Sequence, residues 1–395
     1  MNTKTSMFNI IIFLIVSICI TACTQKQTYN LNYKLSTKFD AEKIRPFEES
    51  NIKITFEAIN LDTISNALLS GVQQIELAPN RILVYSLIDG IIIFDGKGNY
   101  INSITKGRGP NEIMQATDIL YNDTDNCFDI LDFQNKLKTF DLNGNYIKTR
   151  IDLDSLYCDD FIKLHNNYLF YIERHEYNYC LIDGNSGELH ESLKSLQRIK
   201  NYHIQNNPFA LWNDTAFCYL PGNDIIYSIA HGQKEQFEPY LKIEGLFNVE
   251  FDGEISYDQL RGICETNNLS SQLRNINIID SNIWQMTFVV GEDVYDVLWN
   301  KKTNQFYDNP IASNIPYMGI ILGTHAKGTI YAIPYLEAYA LEESDLYSEI
   351  ENRLIRTIKN RCAEQNYNNP DDGNYLIVQF NYIYGNVPRK LLRIE

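Results

Sequence analysis

The chain contains no Cys-x-x-Cys and no His-x-x-x-His among its six histidines, so it offers no zinc-ligand spacing. It also lacks the Gly-x-Ser-x-Gly elbow of an α/β-hydrolase and the Ser-x-Asp-x-Gly-x-Thr-Trp box of a sialidase. Basic charge is scarce: 34 Lys and Arg face 50 Asp and Glu, a net charge of -16. That balance argues against nucleic acid and anionic headgroups as partners. The apolar run Met7 to Ile20 has the length of a signal h-region and is too short for a membrane span.

What is present begins with that run. Lys4 precedes it and Ile20-Thr21-Ala22-Cys23 ends it, which resembles the lipobox of lipoproteins in double-membrane bacteria. The resemblance implies cleavage before Cys23, lipidation of Cys23, and a body held on a membrane face. Thr24 is not the aspartate of inner-membrane retention, and no acidic cluster follows, so the expected address is the periplasmic face of the outer membrane. The expected division is 1–22 signal peptide, 23–50 tether and 51–395 folded body.

Eight cysteines are present. Beyond Cys19 and Cys23, the remaining Cys127, Cys158, Cys180, Cys218, Cys264 and Cys362 could form three disulfides in an oxidising compartment. Several sit in apolar strand-like runs, as Cys218 does in Thr215 to Leu220, which suits buried thiols. The 27 tyrosines are compatible with a sugar-binding surface, but tyrosine is also a strong strand former.

Phe94-Asp95-Gly96-Lys97-Gly98-Asn99-Tyr100-Ile101 recurs as Phe140-Asp141-Leu142-Asn143-Gly144-Asn145-Tyr146-Ile147. A period of about 46 residues marks stacked units. Each unit reads as four short strands: Val72 to Leu77, Arg81 to Ser86, Ile91 to Phe94 and Asn99 to Ile104, joined by tight turns such as Asp89-Gly90. Weaker copies follow at Ala116 to Ile151, Asp159 to Leu193, Phe209 to Ile243 and Ile278 to Tyr307, and Tyr317 to Pro334 begins a sixth. The fold expected is all-β: a six-bladed β-propeller of four-stranded antiparallel blades.

Two helical segments interrupt it. The insertion 244–276 carries one, with Leu260, Ile263, Leu269 and Leu273 spaced loosely as a face. The other spans 344–362, with Leu346, Ile350, Leu354, Ile358 and Cys362 on one stripe and Ser344 as N-cap. That stripe is expected to pack on the propeller. Ile52 to Ile59 and Tyr375 to Phe380 alternate without local hairpin partners, so both are expected in the terminal blade, closing the ring.

Gly107-Arg108-Gly109-Pro110-Asn111-Glu112, lying between the first two units, resembles the signature of six-bladed β-propeller lipoproteins, distant relatives of NHL-repeat propellers. The resemblance implies fold and anchoring and carries over no catalytic residue. A phosphate loop would need a helix after the glycines, whereas Met114 to Tyr121 returns to strand. Gly107, Gly109, Pro110 and Glu112 therefore read as a structural inter-blade turn, with Arg108 and Glu112 placed to pair with neighbouring blades.

Three roles fit. The leading one is a binding module for a peptide, a glycan or another envelope protein, working at the mouth of the central channel. A second is a propeller hydrolase or lactonase in which carboxylates converge on Ca²⁺; no cofactor is expected outside that reading, which alone would take calcium. A third is a structural subunit of an envelope complex. Asp118, Asp132, Asp159, Asp160, Asn213 and Asp296 lie near expected strand ends and are the candidate channel-mouth residues.

Overall fold

The computed structural model describes residues 33–384 except 65, 155, 173–177, 195–197, 201–207, 221–222, 233–235, 248–253, 268, 271, 311–322, 326–327, 335–337, 339–340, 345–347 and 365–373. The signal segment, Cys23, Tyr317 and Leu346 therefore lie outside the described residues.

Six antiparallel sheets follow one another along the chain. Blade one comprises Val72–Ala78, Arg81–Ser86, Gly90–Asp95 and Tyr100–Ile104; blade two comprises Ala116–Asn122, Cys127–Asp132, Lys136–Phe140 and Tyr146–Asp152. Blade three runs from Asp160–Leu164 to Leu189–Leu193, and blade four from Phe209–Trp212 to Glu238–Glu244. Blade five begins with Gln272–Ile278 and ends with Gln305–Asp308. The first strand of each unit is the innermost, since the inner strands of neighbouring blades meet around the axis.

The repeated turn explains why blades one and two were the clearest in sequence. Asp95 Oδ1 accepts the amides of Lys97 (2.8 Å) and Asn99 (2.9 Å), and its Oδ2 accepts Asn99 Nδ2 (2.7 Å). Asp141 repeats this with Asn143 (2.8 Å) and Asn145 (2.9 and 2.8 Å). The Asp side chain thus satisfies turn amides that no strand can reach. Gly98 completes the first turn at φ +90, where a Cβ would also collide with the Asn60 carbonyl.

Closure is as expected. Ile52–Asn60 pairs antiparallel with Tyr375–Tyr384, from Ile52 opposite Tyr384 to Asn60 opposite Leu376. Tyr375–Tyr384 pairs in turn with Gly328–Pro334, and that with Gly323–His325. Blade six is thereby built from an early and a late segment of the folded body. Its core, including Ile54, Tyr331, Val378 and Phe380, is shared with blade five through Ile283 and Leu298.

Helix α1, Tyr257–Asn267, lies in the insertion, and helix α2 is Glu349–Glu364. On α2, Leu354, Ile355, Ile358 and Cys362 are buried in the core that blades five and six share. Arg353 donates to the Ile54 carbonyl at 2.8 Å, so this helix covers the blade that closes the ring.

Four boundaries differ from the sequence reading. The helix starts later than Ser344, because Ser348 makes the capping box: its amide donates to Glu351 Oε2 (2.6 Å) while its Oγ accepts the Glu351 amide (3.3 Å). Blade five begins at Gln272 and not Ile278, the insertion ending sooner than 276. The second half of the expected 23–50 tether is structured. Leu35–Lys38 adds to blade four as a fifth strand, parallel to Glu238–Glu244, and Phe39 stacks on Phe288 of blade five at 3.8 Å. Arg198–Lys200 and Glu254–Ser256 form a small parallel pair outside the blades. The six internal cysteines are all buried free thiols.

Candidate binding channel

A cavity of about 910 Å³ runs along the inner strands of blades one to five, from Gln115 and Asp159 where those strands begin to Asp123 and Asp214 where they end. Its wall is built by side chains of one inner strand that bond the backbone of the next. Gln74 Oε1 accepts the Ile119 amide (3.1 Å) and Gln74 Nε2 donates to the Ile119 carbonyl (3.0 Å) and to Asp118 Oδ1 (2.6 Å). Glu76 Oε1 accepts the Tyr121 amide at 2.9 Å. One blade further on, Asp118 Oδ2 accepts the Phe161 amide at 2.8 Å. Inner strands of adjacent blades share no β-ladder, so these latches satisfy backbone groups that would otherwise be orphaned.

The same latches bring three acids together. Asp118 and Asp160 lie against each other; burial raises both, and Asp160 goes furthest because the charge of Asp118 adds to its desolvation. A side-chain hydrogen bond joins the two carboxyls. Glu76 lines the cavity and is half-buried. Burial pushes its carboxyl up to about 8, with the Tyr121 amide pulling back and Asp118 adding to the rise. Asp159, exposed beside Asp160, stands at the mouth.

Of the residues expected at the mouth, Asp118, Asp159 and Asp160 line the cavity. Asn213 lies in the turn of blade four at φ 44, next to Asp214, which is the cavity residue there. Asp132 and Asp296 line neither end. Asp132 is fully buried in an ion pair with Lys138 at 3.0 Å. Asp296 faces blade six, accepting from Gln285 Nε2 (3.0 Å), Thr287 Oγ1 (3.2 Å) and Asn309 Nδ2 (2.8 Å). Both point between blades, where polar partners replace solvent.

The Gly107 to Glu112 turn is tied to that ion pair. Lys138 Nζ donates to the Glu112 carbonyl at 2.6 Å, while the Glu112 carboxylate accepts the Gly109 amide at 2.8 Å. A Cβ on Gly107 would collide with the Glu112 carboxylate, which is why glycine stands there. Glu112 thus closes its own loop through its side chain and docks blade two through its backbone. Arg108 is exposed and takes no part in this lock.

Sequence reasoning missed Gln74 and Glu76, whose alternation with Ile75 reads as a solvent face, and Tyr85. It also missed the turns where His165 stacks on His231 at 3.8 Å and bonds Asp214 at 3.1 Å; nothing local marks residues that meet only across blades. Among the described residues, no group of three or more His, Cys, Asp and Glu side chains is placed to hold a metal ion. None of their helices is long and apolar enough to cross a membrane.

A ring of six blades around a polar, acid-lined channel defines the chain as a propeller with an axial cavity. It belongs to the family described as Domain of unknown function (DUF4934), which matches residues 32–370. Comparison with curated proteins gives no match. Among solved structures, a Bacteroides fragilis NCTC 9343 protein described as exported is similar over 88% of this chain and 99% of its own, at 14% identity and a TM-score of 0.60. PorZ of Porphyromonas gingivalis, a surface component of the type-IX secretion system, matches at TM-score 0.36 and 12% identity over 66% of this chain and 29% of its own. A Bacteroides thetaiotaomicron protein of unknown function gives TM-score 0.40 and 8% identity over 65% and 64%. The first of these similarities speaks to the fold alone.

Proposed function

We propose that the protein is a binding module of the cell envelope, held by lipid on Cys23, whose channel receives part of a peptide, a glycan or another envelope protein. The observation that carries this reading is the cavity of about 910 Å³ with polar groups contributed by successive inner strands. Ligand sites of propellers form where several blades converge, because residues distant in sequence there share one concavity. The lipobox-like Ile20 to Cys23 supports the address, and the exported relative accords with it. The calcium-dependent hydrolase reading has no donor set among the described residues to carry it.

The test is a glycan and peptide screen by thermal shift, since a ligand of the native state raises its melting temperature by mass action. It is run beside a channel-filled variant carrying Gln73→Trp and Leu211→Trp, both exposed positions on the cavity wall. Hits should be lost in the filled variant; hits that survive it place binding elsewhere. For the anchor, Cys23→Ser should move the protein from the membrane to the soluble fraction, and continued membrane association would remove lipidation from the proposal.

A further inference from the structure

The channel end at which the inner strands begin differs chemically from its interior. Four large apolar side chains stand exposed there: Leu87 (49%) and Ile88 (67%) in the second turn of blade one, Phe133 (53%) in the equivalent turn of blade two, and Tyr157 (67%) leading into blade three. Ser86 pairs with Val72, and Asp132 with Ala116, so these turns lie level with the start of the inner strands. The Phe133 amide donates to the carbonyl of the cavity residue Gln115 at 2.8 Å.

Below that rim the acids descend. Asp159 and Asp160 stand at the start of the blade-three strand, Asp118 is the third residue of Ala116–Asn122, and Glu76 is the fifth of Val72–Ala78. Two lysines nearby are committed elsewhere, while Arg108, on the loop after Lys106, is exposed. Lys106 donates to the Leu87 and Ile88 carbonyls at 3.3 and 3.1 Å, and Lys163 donates to Asn122 at 2.6 Å. His165 pairs with Asp214 at the far end, where Asp123 also lies. A further observation points to something polar entering. The Tyr85 hydroxyl on this wall is buried without a hydrogen bond of good geometry, although the Gln115 amide lies beside it.

We propose that this mouth receives a protein segment carrying a lysine or arginine flanked by large apolar residues. The cation reaches the carboxyls of Asp160, Asp118 and Glu76, and the apolar flanks cover Leu87, Ile88, Phe133 and Tyr157. The inference rests on the channel-binding reading and names its ligand chemistry. An arriving ammonium or guanidinium favours the ionised carboxyls, so binding releases protons. Because the acids are held above their ordinary range, affinity rises with pH toward about 8 and falls below it.

The experiment is isothermal titration of the full chain with three capped pentapeptides, Leu-Phe-Lys-Leu-Phe and its Gln and Glu counterparts, at pH 6 and pH 8.5. The lysine peptide is expected to bind at least about tenfold tighter than the glutamine one at pH 8.5 and to lose at least about tenfold by pH 6, with the glutamate peptide weakest. Glu76→Gln with Asp160→Asn should erase the charge preference. Phe133→Ser with Leu87→Ser should weaken all three peptides alike. Equal binding of the three, or a preference that survives the acid substitutions, overturns the proposal. Should the acid variant fail to fold, the wild type decides: proton release seen by titrating in two buffers of different ionisation enthalpy supports it, and its absence refutes it. If no peptide binds while a screened ligand does, and channel filling blocks that ligand, this inference fails and the channel reading stands. Binding unchanged by channel filling removes both.

Discussion

Two acids sit between blades, Asp129 fully buried and Asp296 half-buried, and are accommodated in opposite ways. Between blades two and three, Asp129 is fully buried and accepts from Thr139 Oγ1 (2.6 Å), Tyr168 Oη (2.6 Å), Asn122 Nδ2 (2.8 Å) and the Arg150 guanidinium (3.3 Å). Arg150 also bonds Asp125 at 2.7 Å and lies over the Tyr168 ring. Between blades five and six, Asp296 has only amides and a hydroxyl, and no cation among the described residues. Burial pushes it up to about 6, with Gln285, Asn309 and Thr287 pulling back. Around it, both amide atoms of Asn275 and the Oε1 of Gln285 are buried without a hydrogen-bond partner. A cation makes a blade interface brittle toward mutation, whereas an amide cage makes it responsive to pH.

The largest effect should come from breaking the first arrangement. Arg150→Met strands Asp129 as a buried uncompensated charge and is expected to cost about 3–5 kcal/mol, read from urea unfolding. A loss below about 1 kcal/mol would mean the guanidinium contributes little and Tyr168, Thr139 and Asn122 suffice.

The second arrangement should show in the pH dependence. Asp296 has a raised folded-state pKa, so its contribution to stability is complete below about pH 4 and is lost as pH rises through about 6, by ~1–3 kcal/mol. Asp296→Asn should remove that slope while costing something at low pH, because its amide meets donors. Parallel stability curves for wild type and variant between pH 4 and pH 7 would contradict the assignment. Glu76→Gln is expected to flatten a further stretch of the same sign, up to about pH 8.

Smaller effects test whether the inter-blade turn belongs with the brittle kind. Gly107→Ala pushes a methyl into the Glu112 carboxylate and should cost about 1–3 kcal/mol in thermal or urea melts. Arg108→Ala, at an exposed position, should fall within about 0.5 kcal/mol of wild type. Equal costs at the two positions would break the account of this turn as a glycine-and-carboxylate lock.

The architecture was readable where turn chemistry is local. Asp95 and Asp141 cap their turns with neighbours two and four residues on, so the pattern survives in sequence, and Ile52 and Tyr375 announced themselves by alternating without a hairpin partner. What was illegible depends on partners far along the chain. Leu35–Lys38 is a four-residue strand whose partner is Glu238–Glu244, and its sequence alone carries no alternation to find. Gln74, Glu76 and Asp118 are latches because the next blade stands beside them. The channel acids were half-legible for the same reason: strand-end carboxylates could be picked out, but whether each faced the axis, as Asp118 does, or a neighbouring blade, as Asp132 and Asp296 do, is decided by register.

The pairing of Ile52–Asn60 with Tyr375–Tyr384 also sets an order of events during synthesis. Ile52–Asn60 emerges long before its template, Tyr375–Tyr384, so the ring stays unclosed until that strand is made. Long-range pairing of this kind is slow and leaves strand edges exposed while it waits. In the cell, the burden falls on whatever holds the nascent chain until its final strand arrives.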